Sequence, residues 1–82
     1  MNSLQELMDN ILTSIYYAPG CDFTELMTRD FLQTKSTEGV SRLVGMLVGG
    51  GLVREGNNTN NAQWGKLYLT VKGKKRVELI EN

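Results

Sequence analysis

Lys35, Ser36, Thr37, Ser41 and Arg42 fall within eight consecutive positions, and each can donate hydrogen bonds. The chemistry they offer is recognition rather than bond breaking. Arg42 can present paired N–H groups to O6 and N7 of guanine in a major groove. Ser41 and Thr37 can donate to phosphates or base edges, and Lys35 can reach a phosphate. A further polar group follows at 56–63, where the sequence GNNTNNAQ brings Asn57, Asn58, Asn60, Asn61 and Gln63 together, with Lys66 just beyond. Such amides can enter a minor groove or bond phosphates, and Lys66 can touch a phosphate backbone. A plainer use stays open for each: an ion pair of Arg42 with Glu38 four residues earlier, helix capping by Ser36 or Thr37, and a solvated polar loop for the Asn run.

Catalytic chemistry is poorly provided for. The chain has no His, which removes the commonest player from zinc sites and acid–base triads. Its single Cys21 has no basic neighbour in sequence to lower its pKa, so it reads as a small buried residue. Gly49-Gly50-Gly51 ends a helix instead of opening one and lacks the Lys-Ser/Thr of a phosphate loop. No enzyme activity, cofactor or metal is expected.

The donors need elements to hold them. Val40, Leu43, Val44 and Leu47 recur at the spacing of one helix face and predict a helix over 37–48. Its opposite face would carry Glu38, Ser41, Arg42, Gly45 and Gly49, small and polar enough to lie against something. Gly39 and Gly45 inside a helix each cost on the order of 1 kcal/mol relative to Ala, which suggests close approach of another backbone or a ligand. The three glycines stop the helix, and residues 52–55 and 64–69 predict a β-hairpin around the Asn-rich tip. Upstream, Leu4, Leu7, Met8, Ile11, Leu12, Ile15 and Tyr16 predict an amphipathic helix over 3–17, with Ser3 and Glu6 as a capping box. That stripe can serve the core, a dimer seam, or both. Pro19-Gly20 ends it, and a shorter helix over about 24–32 would turn Leu26, Met27 and Phe31 inward. Thr70 is placed to cap a last helix over about 71–80, with Val71, Val77 and Ile80 inward.

The order of helices and hairpin predicts an α+β winged helix-turn-helix: three helices, a β-hairpin wing and a C-terminal helix. The chain from 22 to 80 resembles the DNA-binding core of the MarR and PadR regulator families. Two segments carry the likeness: Gly39-Val40-Ser41-Arg42-Leu43-Val44 with Leu47 and Gly51-Leu52-Val53-Arg54, and Leu67-Tyr68-Leu69-Thr70-Val71-Lys72-Gly73-Lys74. The stretch from Leu67 to Lys74 is similar to the one that closes the wing in those families. The resemblance implies a small bacterial or phage transcriptional regulator, with helix 37–48 in the major groove and the wing at 56–65 on the flanking backbone. Its implied DNA-contacting set is Lys35, Ser36, Thr37, Ser41, Arg42, Asn58, Asn60 and Lys66. Those families dimerise through long added helices, a part that only helix 3–17 could take here.

Net charge is zero, which taken alone disfavours a nucleic-acid partner, but the charges segregate. Residues 1–34 carry a net −4 and residues 35–76 a net +6. A neutral chain can thus keep one basic face, although segregated, solvated surface charges look the same in sequence. The run Lys72, Lys74, Lys75 and Arg76 is open to the same two readings. Trp64, Lys66 and Tyr68 share one strand face, an arrangement that suits base stacking or, more often, packing on the helices. The alternative function is a winged-helix module that binds another protein and no DNA. No apolar run approaches the roughly 18–20 residues of a membrane span, and the N-terminus lacks a basic leader. A cytoplasmic protein of one small domain, without a membrane partner, is the expectation.

Overall fold

The computed structural model describes residues 4–58 and 63–81. Ser3, expected as a cap, and Asn60 and Asn61, expected at a DNA backbone, lie outside the described residues. The elements run α1 (Leu4–Tyr17), α2 (Phe23–Leu26), a 3₁₀ turn (Asp30–Leu32), α3 (Thr37–Gly49), β1 (Val53–Glu55), β2 (Leu67–Leu69) and α4 (Val71–Glu81). The class is α+β, with four α-helices and one antiparallel hairpin among the described residues. No helix among them is long and apolar enough to cross a membrane.

Helix α1 forms on its apolar period and gives Leu7, Ile11, Leu12 and Ile15 to the core. Leu4 is left exposed, and Met8 and Tyr16 pack at the core's margin. Pro19 and Gly20 then turn the chain, with Gly20 at φ +78°, a conformation that favours glycine. The turn delivers Cys21 to the free edge of β2. Gly20 N–H donates to the Leu67 carbonyl (2.8 Å), and Leu67 N–H donates to the Cys21 carbonyl (2.9 Å). This isolated bridge beside the two-stranded sheet is not announced by the sequence.

The expected helix over 24–32 is broken. It ends after Leu26, and the chain resumes as the 3₁₀ turn after an extended Arg29 (φ −67°, ψ 140°). On the sequence side Thr28 fits the break: its hydroxyl donates to the Glu25 carbonyl (2.6 Å), a local bond of the kind that weakens a helix. Burial is the cause on the packing side. In one continuous helix Leu26 and Leu32 would lie about 120° apart around the axis. The break lets both bury almost completely, together with Phe23.

Helix α3 starts at Ser36, whose Oγ accepts from Gly39 N–H at 3.0 Å. A Cβ on Gly39 would sit 3.1 Å from that oxygen, so glycine here keeps the cap unobstructed. The helix ends in a Schellman pair: Leu52 N–H donates to the Leu47 carbonyl (2.9 Å) and Gly51 N–H to the Val48 carbonyl (3.0 Å), with Gly51 at φ +77°. The chain leaves directly into β1, which pairs with β2 in the register Val53↔Leu69, Arg54↔Tyr68, Glu55↔Leu67. Val53, Leu67 and Leu69 face the core.

Thr70 caps α4, accepting from Gly73 N–H (3.0 Å) and donating to the Gly51 carbonyl (2.5 Å). Of the expected inward residues only Val77 is buried. Val71 is 71% exposed and Ile80 43% exposed, which corrects the inward assignment of both. The face of α4 that meets the sheet is set by Gly73 and Val77, one turn apart. Val71 lies about 160° around the helix from Gly73 and so points away.

Helices α1 and α4 are also tied by charge. Arg76 forks onto Asp9, with Nε to Oδ1 at 3.1 Å and Nη2 to Oδ2 at 3.0 Å. The Asp9 carboxylate raises the guanidinium's pKa further, through the hydrogen bonds first and its charge second. The pair is partly exposed, so salt will screen it. Asp9→Asn and Arg76→Ala should each lower Tm slightly, more at low salt than at high. The double variant should lose no more than the worse single variant, as a thermal double-mutant cycle can check.

Candidate nucleic-acid interface

The donors that α3 was expected to present do not all reach the surface. Lys35, between the 3₁₀ turn and α3, is exposed, as are Thr37, Glu38 and Arg42. Arg42 makes no ion pair with Glu38 or with any other described residue, so its guanidinium stays available. Ser36 is exposed, but its hydroxyl oxygen is committed to the cap.

Ser41 is the clear correction. It is 7% exposed, and its Oγ accepts a 3.0 Å hydrogen bond from the Trp64 indole N–H. Ser41 therefore belongs to the inner wall of α3 and cannot contact an external partner. The apolar row explains this: Ser41 shares a helix edge with Val44 and Val48, three and seven positions on. That spacing was the signal available in the sequence.

Gly45 lies beside the same indole. A Cβ there would lie 3.8 Å from two atoms of the Trp64 ring, an ordinary contact, so the indole neighbours Gly45 without requiring glycine. Trp64 packs against the core margin rather than standing free to stack on a base. It pins the far limb of the hairpin to the side of α3. Gly49 has nothing within 4 Å of where a Cβ would stand and remains open. Along the outward face, Glu38, Arg42 and Met46 follow at successive turns, all exposed.

The hairpin base is tightly closed. Gly56 N–H donates to the Lys66 carbonyl (2.6 Å), and Gly65 N–H donates to Glu55 Oε1 (2.8 Å). A Cβ on Gly65 would come within 2.5 Å of the Gly56 carbonyl oxygen, so two backbones meet here with no room for a side chain. Asn57, Asn58 and Gln63 are exposed beyond this closure. Lys66, expected at a phosphate, instead holds Asp22 across to the start of α2, Nζ to Oδ1 at 3.1 Å. Asp22 raises the pKa of the ammonium by hydrogen bonding and then by charge. Both side chains are about half exposed, so an incoming phosphate can compete for the lysine.

Lys72 donates to the Gly50 carbonyl (3.2 Å), and Arg76 is held by Asp9. The basic run at 72–76 is thus partly consumed by the fold. Cys21 is buried, and desolvation raises its thiol pKa, which makes it a poor nucleophile. Among the described residues no cluster of His, Cys, Asp and Glu could hold a metal ion.

No family model, curated protein or solved structure matches this chain. The site is accordingly defined by its geometry: an outward α3 face with Lys35, Thr37 and Arg42, flanked by a hairpin that Trp64 locks to the same helix.

Sequence reasoning passed over one pair. Arg54 stands opposite Tyr68 in the hairpin register and lays its guanidinium 4.5 Å from the ring centroid. The signal lay in the register, since cross-strand neighbours on one face interact directly.

Proposed function

We propose that this chain is a winged helix-turn-helix domain that binds double-stranded DNA as a small transcriptional regulator. In this reading α3 enters the major groove and the wing at 56–65 lies on the flanking backbone. The observation that carries it is the Trp64–Ser41 hydrogen bond together with the indole's seat on Gly45. These contacts hold wing and helix as one unit while Lys35, Thr37 and Arg42 stay outward. The isolated Cys21–Leu67 bridge, which ties the segment between the first two helices to the hairpin, also supports the winged-helix layout. Arg42 is the base-reading side chain, and Lys35 and Lys66 contact phosphates. The chain acts by binding, without catalysis or cofactor. A reducing cytoplasmic setting suits its free thiol.

Fluorescence anisotropy with a mixed-sequence duplex tests the reading. Micromolar binding at low salt that weakens steeply with added salt is expected, because phosphate neutralisation releases counterions. Lys35→Ala and Lys66→Ala should weaken all sequences about equally and each reduce the salt slope by about 1, while Arg42→Ala should weaken a preferred sequence more than others. No binding at low salt would refute it.

One observation favours an alternative. Glu38 and Met46, the latter 48% exposed, flank Arg42 on the same face of α3, a mixture better suited to a protein surface than to a phosphate backbone. A winged-helix module that binds another protein would show this face and no DNA affinity.

Dimerisation is part of the proposal, with a reduced seam. The middle of the α1 stripe is occupied by the core, which leaves Leu4 and Tyr17 of α1 and Leu79 and Ile80 of α4 exposed for a partner copy. Sedimentation of a pure monomer at high micromolar concentration would exclude it.

A further inference from the structure

The sheet, the end of α1 and the start of α4 line a half-open cavity of about 340 Å³. Its apolar surface is Pro19 and the faces of the Tyr16 and Tyr68 rings; Ile15 and Leu69 also border it but are buried in the core. The rest carries two cations, Arg54 from β1 and Lys74 from α4. The volume lies at the lower end of the range of about 300–1,000 Å³ typical of small-molecule sites, and the mix of apolar wall and convergent polar groups is what such sites show.

The charges are not balanced internally. No Asp or Glu lines the cavity, and neither Arg54 nor Lys74 makes an ion pair among the described residues. Lys66 and Arg76 do find carboxylates, so the contrast is local. Glu55, next to Arg54 in sequence, is turned to the Gly65 N–H instead.

The aromatic floor is closely fitted. A Cβ on Gly56 would come within 2.8 Å of the Tyr68 ring, and one on Gly20 within 3.1 Å of its hydroxyl oxygen. Glycine at both positions gives the ring its place. Arg54 then stacks on Tyr68 at 4.5 Å from the centroid. A guanidinium held over a ring still has N–H groups to offer a planar, bidentate acceptor.

We propose that this cavity binds a small organic carboxylate with a flat apolar body. The carboxylate sits between Arg54 and Lys74, and the body lies against Pro19 and the Tyr16 and Tyr68 rings. A bare inorganic anion would leave the apolar wall wet, and a neutral aromatic would leave the cations unmatched. None of the lining residues lies on α3, so the proposal does not depend on DNA binding.

Amide chemical-shift titration of the full chain with 2-naphthoate, 2-naphthamide and acetate tests it. With 2-naphthoate, saturable shifts confined to Gly20, Arg54, Tyr68, Leu69, Lys74 and their neighbours are expected. The amide should bind roughly tenfold or more weakly, as loss of a charged hydrogen bond implies, and acetate should not saturate. Arg54→Gln and Lys74→Gln should each weaken 2-naphthoate about tenfold while keeping a native spectrum. Lys75→Gln, exposed and outside the cavity, should bind as the parent does. Scattered or unsaturable shifts, equal affinity for acid and amide, or unchanged binding in both the Arg54 and Lys74 variants would overturn the proposal.

Discussion

Gly73→Ala is expected to destabilise this protein by about 3 kcal/mol, against a total that for a domain of this size is about 4–12 kcal/mol. Local reasoning gives the opposite sign. Gly73 stands inside α4, where alanine is worth about 1 kcal/mol more than glycine. The tertiary contact overrides that gain. A Cβ on Gly73 would run into the Leu52 carbonyl oxygen, with the carbonyl carbon 3.1 Å away and Leu69 Cβ at 3.4 Å. The obstacle is backbone, and it is not free to move, because the Leu52 carbonyl accepts the Thr70 N–H at 3.1 Å. Relief requires lifting α4 off the sheet, which would expose Val77, buried completely in the native fold. Gly49→Ala is the matched control. Nothing lies within 4 Å of its Cβ position, so the propensity gain of up to about 1 kcal/mol should appear as increased stability. Urea denaturation of the two variants measures both effects. A Gly73→Ala variant as stable as the parent would mean that α4 does not pack on the sheet as described.

The other large effect is expected at Trp64. Trp64→Ala should cost about 3 kcal/mol, through lost burial of the indole and the orphaned Ser41 hydroxyl. The indole covers Gly45 and supplies the hydrogen bond that satisfies Ser41 inside the fold. Trp64→Phe retains most of the packing and loses only the donor, so about 1 kcal/mol is expected, and Ser41→Ala should behave similarly. Far-ultraviolet circular dichroism during denaturation is the suitable measurement, because the two Trp64 variants lack the chain's only tryptophan. The consequence reaches the proposed interface. With the indole gone the hairpin is no longer pinned to α3, so DNA affinity should fall even though Trp64 is not itself a contact. Trp64→Ala with parental stability and parental DNA affinity would sink the idea of a helix and wing held as one unit.

Both expectations turn on contacts between residues remote in sequence, and they mark the limit of what could be read in advance. Helices α1, α3 and α4 and the hairpin were legible because their causes are local: apolar residues at helical spacing, Ser36 and Thr70 at caps, and glycines at the end of α3. Within the candidate site, Lys35, Thr37 and Arg42 were legible as outward donors for the same reason. Ser41 was not, because its fate depends on Trp64, 23 positions away. Neither was the Lys66–Asp22 pair, which joins the hairpin to the start of α2. The break in the helix expected over 24–32 needed both Thr28 and the depth at which Leu26 and Leu32 find burial.

The sequence by itself determined the element order, the α+β class, the segregation of charge and the absence of histidine chemistry. These follow from composition and from interactions within a few residues. Only the tertiary structure decided which donors remain at the surface, which cations are spoken for, and that Arg54 and Lys74 line one cavity. A side chain's availability depends on what covers it, and the covering group can come from anywhere along the chain. The Asp9–Arg76 pair, 67 residues apart, is the plainest instance.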